Sequence, residues 1–201
     1  MYWINRLYKK KGINTFLILG SMQSHGKKRV KEMYDELGSR IYNLRYREEQ
    51  LAKYDEVLRH LTLKPDEIVL DVGCGTGLLL EKIDGIYVGL DLSSSLLSSA
   101  DRKARPLIDR HLLQGDAEFL PLRDGVFNVL LSFTLLQNLP APKRALSELR
   151  RVSGRHASMG ITALRKNFSS DSFYSILVDS GFNSPTILDT DPYDWIALVN
   201  V

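Results

Sequence analysis

Apolar positions along the chain fall into two textures that meet at Lys64-Pro65-Asp66. Before that point they recur at steps of three and four, as in Met33, Tyr34, Leu37, Ile41 and again Leu51, Tyr54, Val57, Leu58, Leu61. Such spacing lines one face of a helix. Val30 to Leu61 holds no proline and one glycine, Gly38, so the pattern predicts two amphipathic helices broken near Gly38 to Asn43. Beyond Asp66 the apolar residues gather into short β-rich runs: Ile68 to Val72, Ile86 to Leu90, Leu112 to Gln114, Phe127 to Phe133 and Ser158 to Leu164.

Helical patterns fill the gaps, at Gly77 to Ile83, Ser93 to Ala104 and Ala141 to Val152. This alternation predicts βα units on a parallel sheet, hence an α/β fold. A further helix from Ser170 stops at Gly181, the usual C-terminal glycine. Two last runs, Pro185 to Leu188 and Trp195 to Val199, stand too close together for a parallel crossover and must pair as a hairpin, so the final strand enters antiparallel.

Composition adds limits. With 201 residues, 44% hydrophobic and 25% charged, the chain suits one packed domain, residues 65–201, preceded by an N-terminal helical extension, residues 1–64. The single cysteine, Cys74, excludes an intrachain disulfide, and the four histidines lack metal-ligand spacing, so a reducing cytoplasm and no metal are expected. The apolar stretch Ile13 to Leu19 follows Lys9, Lys10 and Lys11 but falls short of the roughly 20 residues a membrane span needs. It reads as an apolar helix docked on the domain, or as an over-extended gene start with the real initiator at Met22, in preference to a signal peptide.

Charge is uneven. Residues 1–64 carry fourteen Lys and Arg against seven Asp and Glu, whereas the remainder is net acidic. A basic extension of this kind suggests a polyanion partner such as RNA, and equally a solvated helix face.

The densest chemistry is Val69-Leu70-Asp71-Val72-Gly73-Cys74-Gly75-Thr76-Gly77, an apolar strand running into a glycine turn. Glycines there allow a tight bend and close approach of a ligand to the backbone. The turn opens the predicted helix, and a ligand at its N-terminus meets free N–H groups that favour a carboxylate or other anion. Asp91 closes the next strand 20 residues after Asp71, a spacing suited to holding ribose hydroxyls. Gly115-Asp116-Ala117 closes the third, where a carboxylate and an N–H can read an adenine edge.

VLDVGCGTG, GLDLS (Gly89 to Ser93), GDAEFLPL (Gly115 to Leu122) and FNVLLSF (Phe127 to Phe133) together resemble the successive motifs of class I S-adenosylmethionine (SAM) dependent methyltransferases, especially the "type 11", ubiquinone-biosynthesis-like group. The resemblance runs from about Pro65 to the C-terminus. It implies a Rossmann-like, seven-stranded, mostly parallel sheet in the order 3-2-1-4-5-7-6 with helices on both faces. It also implies a SAM site made of Asp71, Gly73, Cys74, Gly75, Gly77, Asp91, Leu92, Asp116, Ala117 and Ser132. In that site the glycines bound the methionine end, Asp71 orients its ammonium, Asp91 holds the ribose, Leu92 packs on adenine and Asp116 with Ala117 reads its edge.

Methyl transfer from a sulfonium is a direct displacement, so alignment and water exclusion matter more than a covalent nucleophile. Candidate acceptor contacts are Tyr34 and Tyr46 in the extension, beside Tyr42, Arg45 and Arg47, and Thr134, Gln137 and Asn138 after the fourth strand. That loop reads Thr134-Leu135-Leu136-Gln137-Asn138-Leu139-Pro140 and lacks the Asn/Asp-Pro-Pro-aromatic pattern found in enzymes that methylate adenine or amide nitrogens. The basic extension favours a tRNA or rRNA acceptor. The alternatives are a small quinone-like acceptor in a greasy pocket and a SAM-binding scaffold served by a small zinc-ribbon activator, paired along Leu112 and Leu113 of an edge strand.

Overall fold

The computed structural model describes residues 25–201; the apolar stretch at Ile13 to Leu19 and the alternative start at Met22 lie outside them, as do the side chains of Tyr42 and Arg45. The described residues open with one long helix, α1 (His25–Arg59). Expectation placed two helices here. A single glycine costs a helix only about 1 kcal/mol relative to alanine, too little to break it when no proline follows. Pairs one turn apart, Lys28–Glu32, Lys31–Asp35 and Glu49–Lys53, run along its length.

The sheet has seven strands: β1 (Ile68–Val72), β2 (Ile86–Asp91), β3 (Arg110–Gln114), β4 (Phe127–Ser132), β5 (Ser153–Leu164), β6 (Thr186–Leu188) and β7 (Asp194–Asn200). Their order is β3-β2-β1-β4-β5-β7-β6, with β7 antiparallel to both neighbours and the other pairings parallel, as the motifs implied. Between strands lie α2 (Ser94–Ala104), α3 (Pro142–Val152) and α4 (Ser170–Asp179). Each starts as its sequence dictates. The Ser93 Oγ accepts from Leu96 N at 3.2 Å and the Ser169 Oγ from Ser172 N at 3.2 Å, while α3 opens on Pro142.

Because strands of a parallel sheet are covered on both faces, their runs are apolar throughout and split by alternation. In β1, Val69 faces a cluster with Tyr54 and Val57 of α1 and Leu97 of α2, whereas Leu70 and Val72 face Leu146 and Leu149 of α3. Helix α1 approaches β5 closely: a Cβ at Gly160 would lie 2.3 Å from Val57 Cγ1.

Two expectations fail locally. The segment Gly77 to Ile83 is a run of turns rather than a helix. Leu78, Leu79 and Leu80 are all buried, and three successive inward side chains do not fit one helix face. The carbonyls this leaves without helical partners are met by Arg110, whose guanidinium donates to Leu80 O (3.0 Å), Gly85 O (2.7 Å) and Ile83 O. Strand β5 begins five residues early, at Ser153, since Phe127 pairs with Ser153 across an irregularity between Phe127 and Val129. Its polar Ser153-Gly154-Arg155-His156 start carries no apolar signal.

Among the described residues no helix is long and apolar enough to cross a membrane, and no His, Cys, Asp and Glu group is placed to hold a metal.

Candidate functional site

A cavity of about 720 Å³ opens at the carboxyl ends of the parallel strands, roofed by α1. Order reverses there, between β2-β1 and β4, the place where open α/β sheets bind ligands. Its floor is the backbone of Gly73 and Gly75, both in the left-handed region at φ +86 and +54. Gly73 is closely faced: an added Cβ would sit 3.3 Å from Leu135 Cδ1, so the loops after β1 and β4 meet at this point.

Asp91, Leu92, Asp116 and Ala117 line the cavity wall. The Asp91 carboxylate accepts from Gly75 N and from Ser93 N, each at 2.8 Å. Burial raises its pKa, against the pull of those backbone donors. A carboxylate offers about four acceptor positions, so two such bonds orient the group without exhausting it. Asp116 accepts from Glu118 N at 2.9 Å and takes Lys27 Nζ at 2.6 Å; the same Lys27 lies 2.5 Å from Glu118.

Tyr34, Tyr46, Thr134, Gln137 and Asn138 line the same cavity. Asn138 Nδ2 donates to the Tyr34 hydroxyl at 3.2 Å, and burial followed by the charge of Asp91 raises the pKa of that hydroxyl. Four residues named from the motifs do not line the cavity: Asp71, Cys74, Gly77 and Ser132. Asp71 is 3% exposed and accepts from the Tyr87 hydroxyl at 2.7 Å, behind the glycine loop. Burial pushes its pKa up to about 7, opposed by the Tyr87 bond. The buried Cys74 thiol is likewise held well above its ordinary range. Gly77 packs against Leu80 and Ala100, and the Ser132 Oγ is buried without a hydrogen-bond partner.

Sequence reasoning missed Lys27, Glu49, Gln50, Arg165, Lys166 and Tyr193, all on the cavity wall, and the pair Lys53 and Asp194 beneath it. Glu49, Lys53 and Val57 follow one another at steps of four, a polar intrusion into an inward helix stripe that was visible in principle. Lys27 had no local signal, because its partners lie 89 and 91 residues away.

Three lysines of α1 are engaged with acids. Lys27 turns inward onto Asp116 and Glu118, Lys53 onto Asp194 and Glu49, and Lys31 holds Asp35, which in turn accepts from Ser93 Oγ at 2.5 Å.

Comparison with known proteins agrees with this architecture. Residues 70–157 match the family model described as a methyltransferase domain. An uncharacterised protein of Methanocaldococcus jannaschii is 34% identical over 123 residues, covering 61% of this chain and 47% of that one. The demethylmenaquinone methyltransferases of Lysinibacillus sphaericus and of Bacillus cereus strain ATCC 10987 are 32% and 33% identical over 104 and 132 residues. Those matches cover 49% and 62% of this chain, and 44% and 54% of the relatives. The chain thus spans about half the length of these curated relatives. Among solved structures, a SAM dependent methyltransferase from Aquifex aeolicus superposes with a TM-score of 0.67 at 21% identity, covering 87% of this chain and 98% of that one. Geranyl diphosphate C-methyltransferase from Streptomyces coelicolor gives 0.75 at 12% identity, covering 90% and 99%. Sheet order, glycine loop and family match converge, and the chain has the class I SAM-dependent methyltransferase fold, consistent with the methyltransferase-domain family whose model it matches.

Proposed function

We propose that the protein is a SAM-dependent methyltransferase whose acceptor is a small, largely apolar ring compound of the quinone-biosynthesis kind. The observation that carries the cofactor half is Asp91, tied to the glycine loop through Gly75 N and facing the same cavity. Gly73 and Gly75 would bound the methionine portion, the remaining lone pairs of Asp91 would take the ribose hydroxyls, and Leu92 would pack on the base. Asp116 already holds Lys27, so the backbone of Ala117 would share the reading of the adenine edge. Bound SAM supplies a methyl group on a sulfonium; the protein's part is to align the acceptor and keep water out.

The acceptor half rests on the cavity's size and walls. About 720 Å³ lies within the range of small-molecule sites, and Val30, Met33, Phe133, Leu135, Leu139 and Leu164 give it apolar sides. The inward-turned lysines of α1 weaken the RNA reading drawn from charge alone, because a cation neutralised beneath the surface releases no counterions from a phosphate backbone. The demethylmenaquinone methyltransferases among the relatives support the ring acceptor in the same direction.

A second reading adds a partner. Strand β3 forms the sheet's edge, and a protein of this fold from Haloferax volcanii, 15% identical with a TM-score of 0.71, is described in complex with the Trm112 methyltransferase activator. Full activity of the isolated chain would remove it.

The test is incubation of the chain with labelled SAM and separate lipid, RNA and protein fractions. Label entering the lipid fraction, at a rate insensitive to salt between 50 and 200 mM (on the order of the range over which polyanion binding collapses), supports the proposal. Label in RNA with steep salt dependence overturns its acceptor half.

A further inference from the structure

Beneath the end of the cavity beside Gly73 lies a buried charge network that the cofactor does not explain. Lys53 and Asp194 are both 0% exposed, with Nζ 3.0 Å from Asp194 Oδ1. The same Nζ donates to Thr134 Oγ1 at 2.9 Å and to Glu49 Oε1 at 3.2 Å. Asp194 Oδ2 accepts from the hydroxyls of Thr134 and Thr162, each at 2.8 Å.

Thr134 sits at φ +52, a conformation that β-branched residues rarely adopt. Backbone held this way persists only where surroundings over-determine it, and such positions cluster at functional sites. Here the surroundings are explicit: Thr134 N donates to Thr162 Oγ1 at 2.9 Å, and its carbonyl accepts from Asn138 at 3.3 Å and from Gln137. The network therefore uses up the polar groups of Thr134. It leaves one group for a ligand. Glu49 lines the cavity, its Oε1 is fixed by Lys53, and among the described residues Oε2 has no hydrogen-bond partner. Of the other acids on the wall, Asp116 holds Lys27, and Asp91 accepts from Gly75 N and Ser93 N with its remaining lone pairs assigned above to the ribose.

We infer that Glu49 is the proton acceptor for a hydroxylic ring substrate, and that Lys53, held by Asp194, is its positioning residue. The inference rests on the methyl-transfer reading above and deepens it, since it names a protic acceptor. The hydroxyl proton passes to Glu49. The electron pair it leaves, on oxygen or through the conjugated ring on carbon, bonds to the methyl carbon as the carbon–sulfur pair departs onto sulfur. In attack through carbon, the ring proton at that carbon is then lost and the hydroxyl regains its own. Either route releases one net proton to water. The charged and titratable groups near Glu49 are Lys53 and Tyr46 on α1 and Asp194 on β7, with Tyr34, Arg165, Lys166 and Tyr193 on the same cavity.

The experiment uses the full chain and 4-nitrophenol as a probe, whose ionisation is read from its absorbance, with and without S-adenosylhomocysteine. In the wild type, the Glu49 carboxyl facing the probe should favour the bound phenol over the phenolate and move the probe's half-ionisation about tenfold or more toward lower proton concentration. Glu49→Gln should abolish that displacement while keeping S-adenosylhomocysteine affinity within about twofold, which also certifies its fold. Glu49→Asp should recover part of it, and Lys53→Met should shrink it. Equal half-ionisation in wild type and Glu49→Gln, or no binding of the phenol by either, overturns the assignment. Failure of the wild type to bind S-adenosylhomocysteine strikes the cofactor reading instead, and the titration without it still decides Glu49.

Discussion

The backbone N–H of Gly75 donates to the Asp91 carboxylate at 2.8 Å, joining the loop after β1 to the end of β2. Loop shape and nucleoside grip are thereby one structure. Asp91→Ala should lower SAM affinity by at least about 100-fold in calorimetry, because it removes both the charge-assisted bonds to a ribose and the loop's anchor. Asp91→Asn keeps the size and should lose less. An Asp91→Ala chain that binds SAM as tightly as wild type would remove the ribose assignment.

Gly77 and Gly125 share a φ of +69 but not their surroundings. A Cβ at Gly77 would lie 2.4 Å from Leu80 Cδ2 and 2.9 Å from Ala100 Cβ, whereas at Gly125 the nearest atom is 3.9 Å away. Gly125→Ala should therefore cost only backbone strain, about 1 kcal/mol, and Gly77→Ala about 3 kcal/mol or more. Urea unfolding of the two variants measures the difference.

Removing one member of a buried ion pair strands the other. Lys53→Met leaves Asp194 fully buried and charged beside two threonine hydroxyls, and should destabilise the chain by about 3–5 kcal/mol. Pairing it with Asp194→Asn should cost less than the two single changes added together, which a double-mutant cycle on thermal or urea unfolding will read.

Asp71 sets a pH dependence. Its folded pKa is pushed up to about 7 by burial, above the ordinary carboxylate value of about 4. Between those two values the native state binds more protons than the unfolded one, so this group makes stability fall as pH rises through the window and level off above about 7. Asp71→Asn should flatten that slope and raise stability above pH 7, provided the bond to Tyr87 survives. A steeper slope in the variant would contradict the assignment.

Short apolar runs were enough to locate the seven strands, because a sheet covered on both faces demands them, and the short link between the last two made β7 antiparallel; the strand order came from the motif resemblance. The motifs carried Gly73, Gly75, Asp91, Asp116 and Ala117 to one cavity, since short loops at strand ends leave little freedom in where such residues go. What tertiary structure decided was everything resting on distant partners. Charge summed along the chain made the extension look like a basic surface, yet Lys27 and Lys53 are buried against acids 89 to 141 residues away. Likewise Asp71 is turned from the cavity by the Tyr87 hydroxyl, and the segment after Gly77 gives up its helix to bury three leucines in succession. Local pattern records which face of an element is apolar; only packing decides which charge meets which.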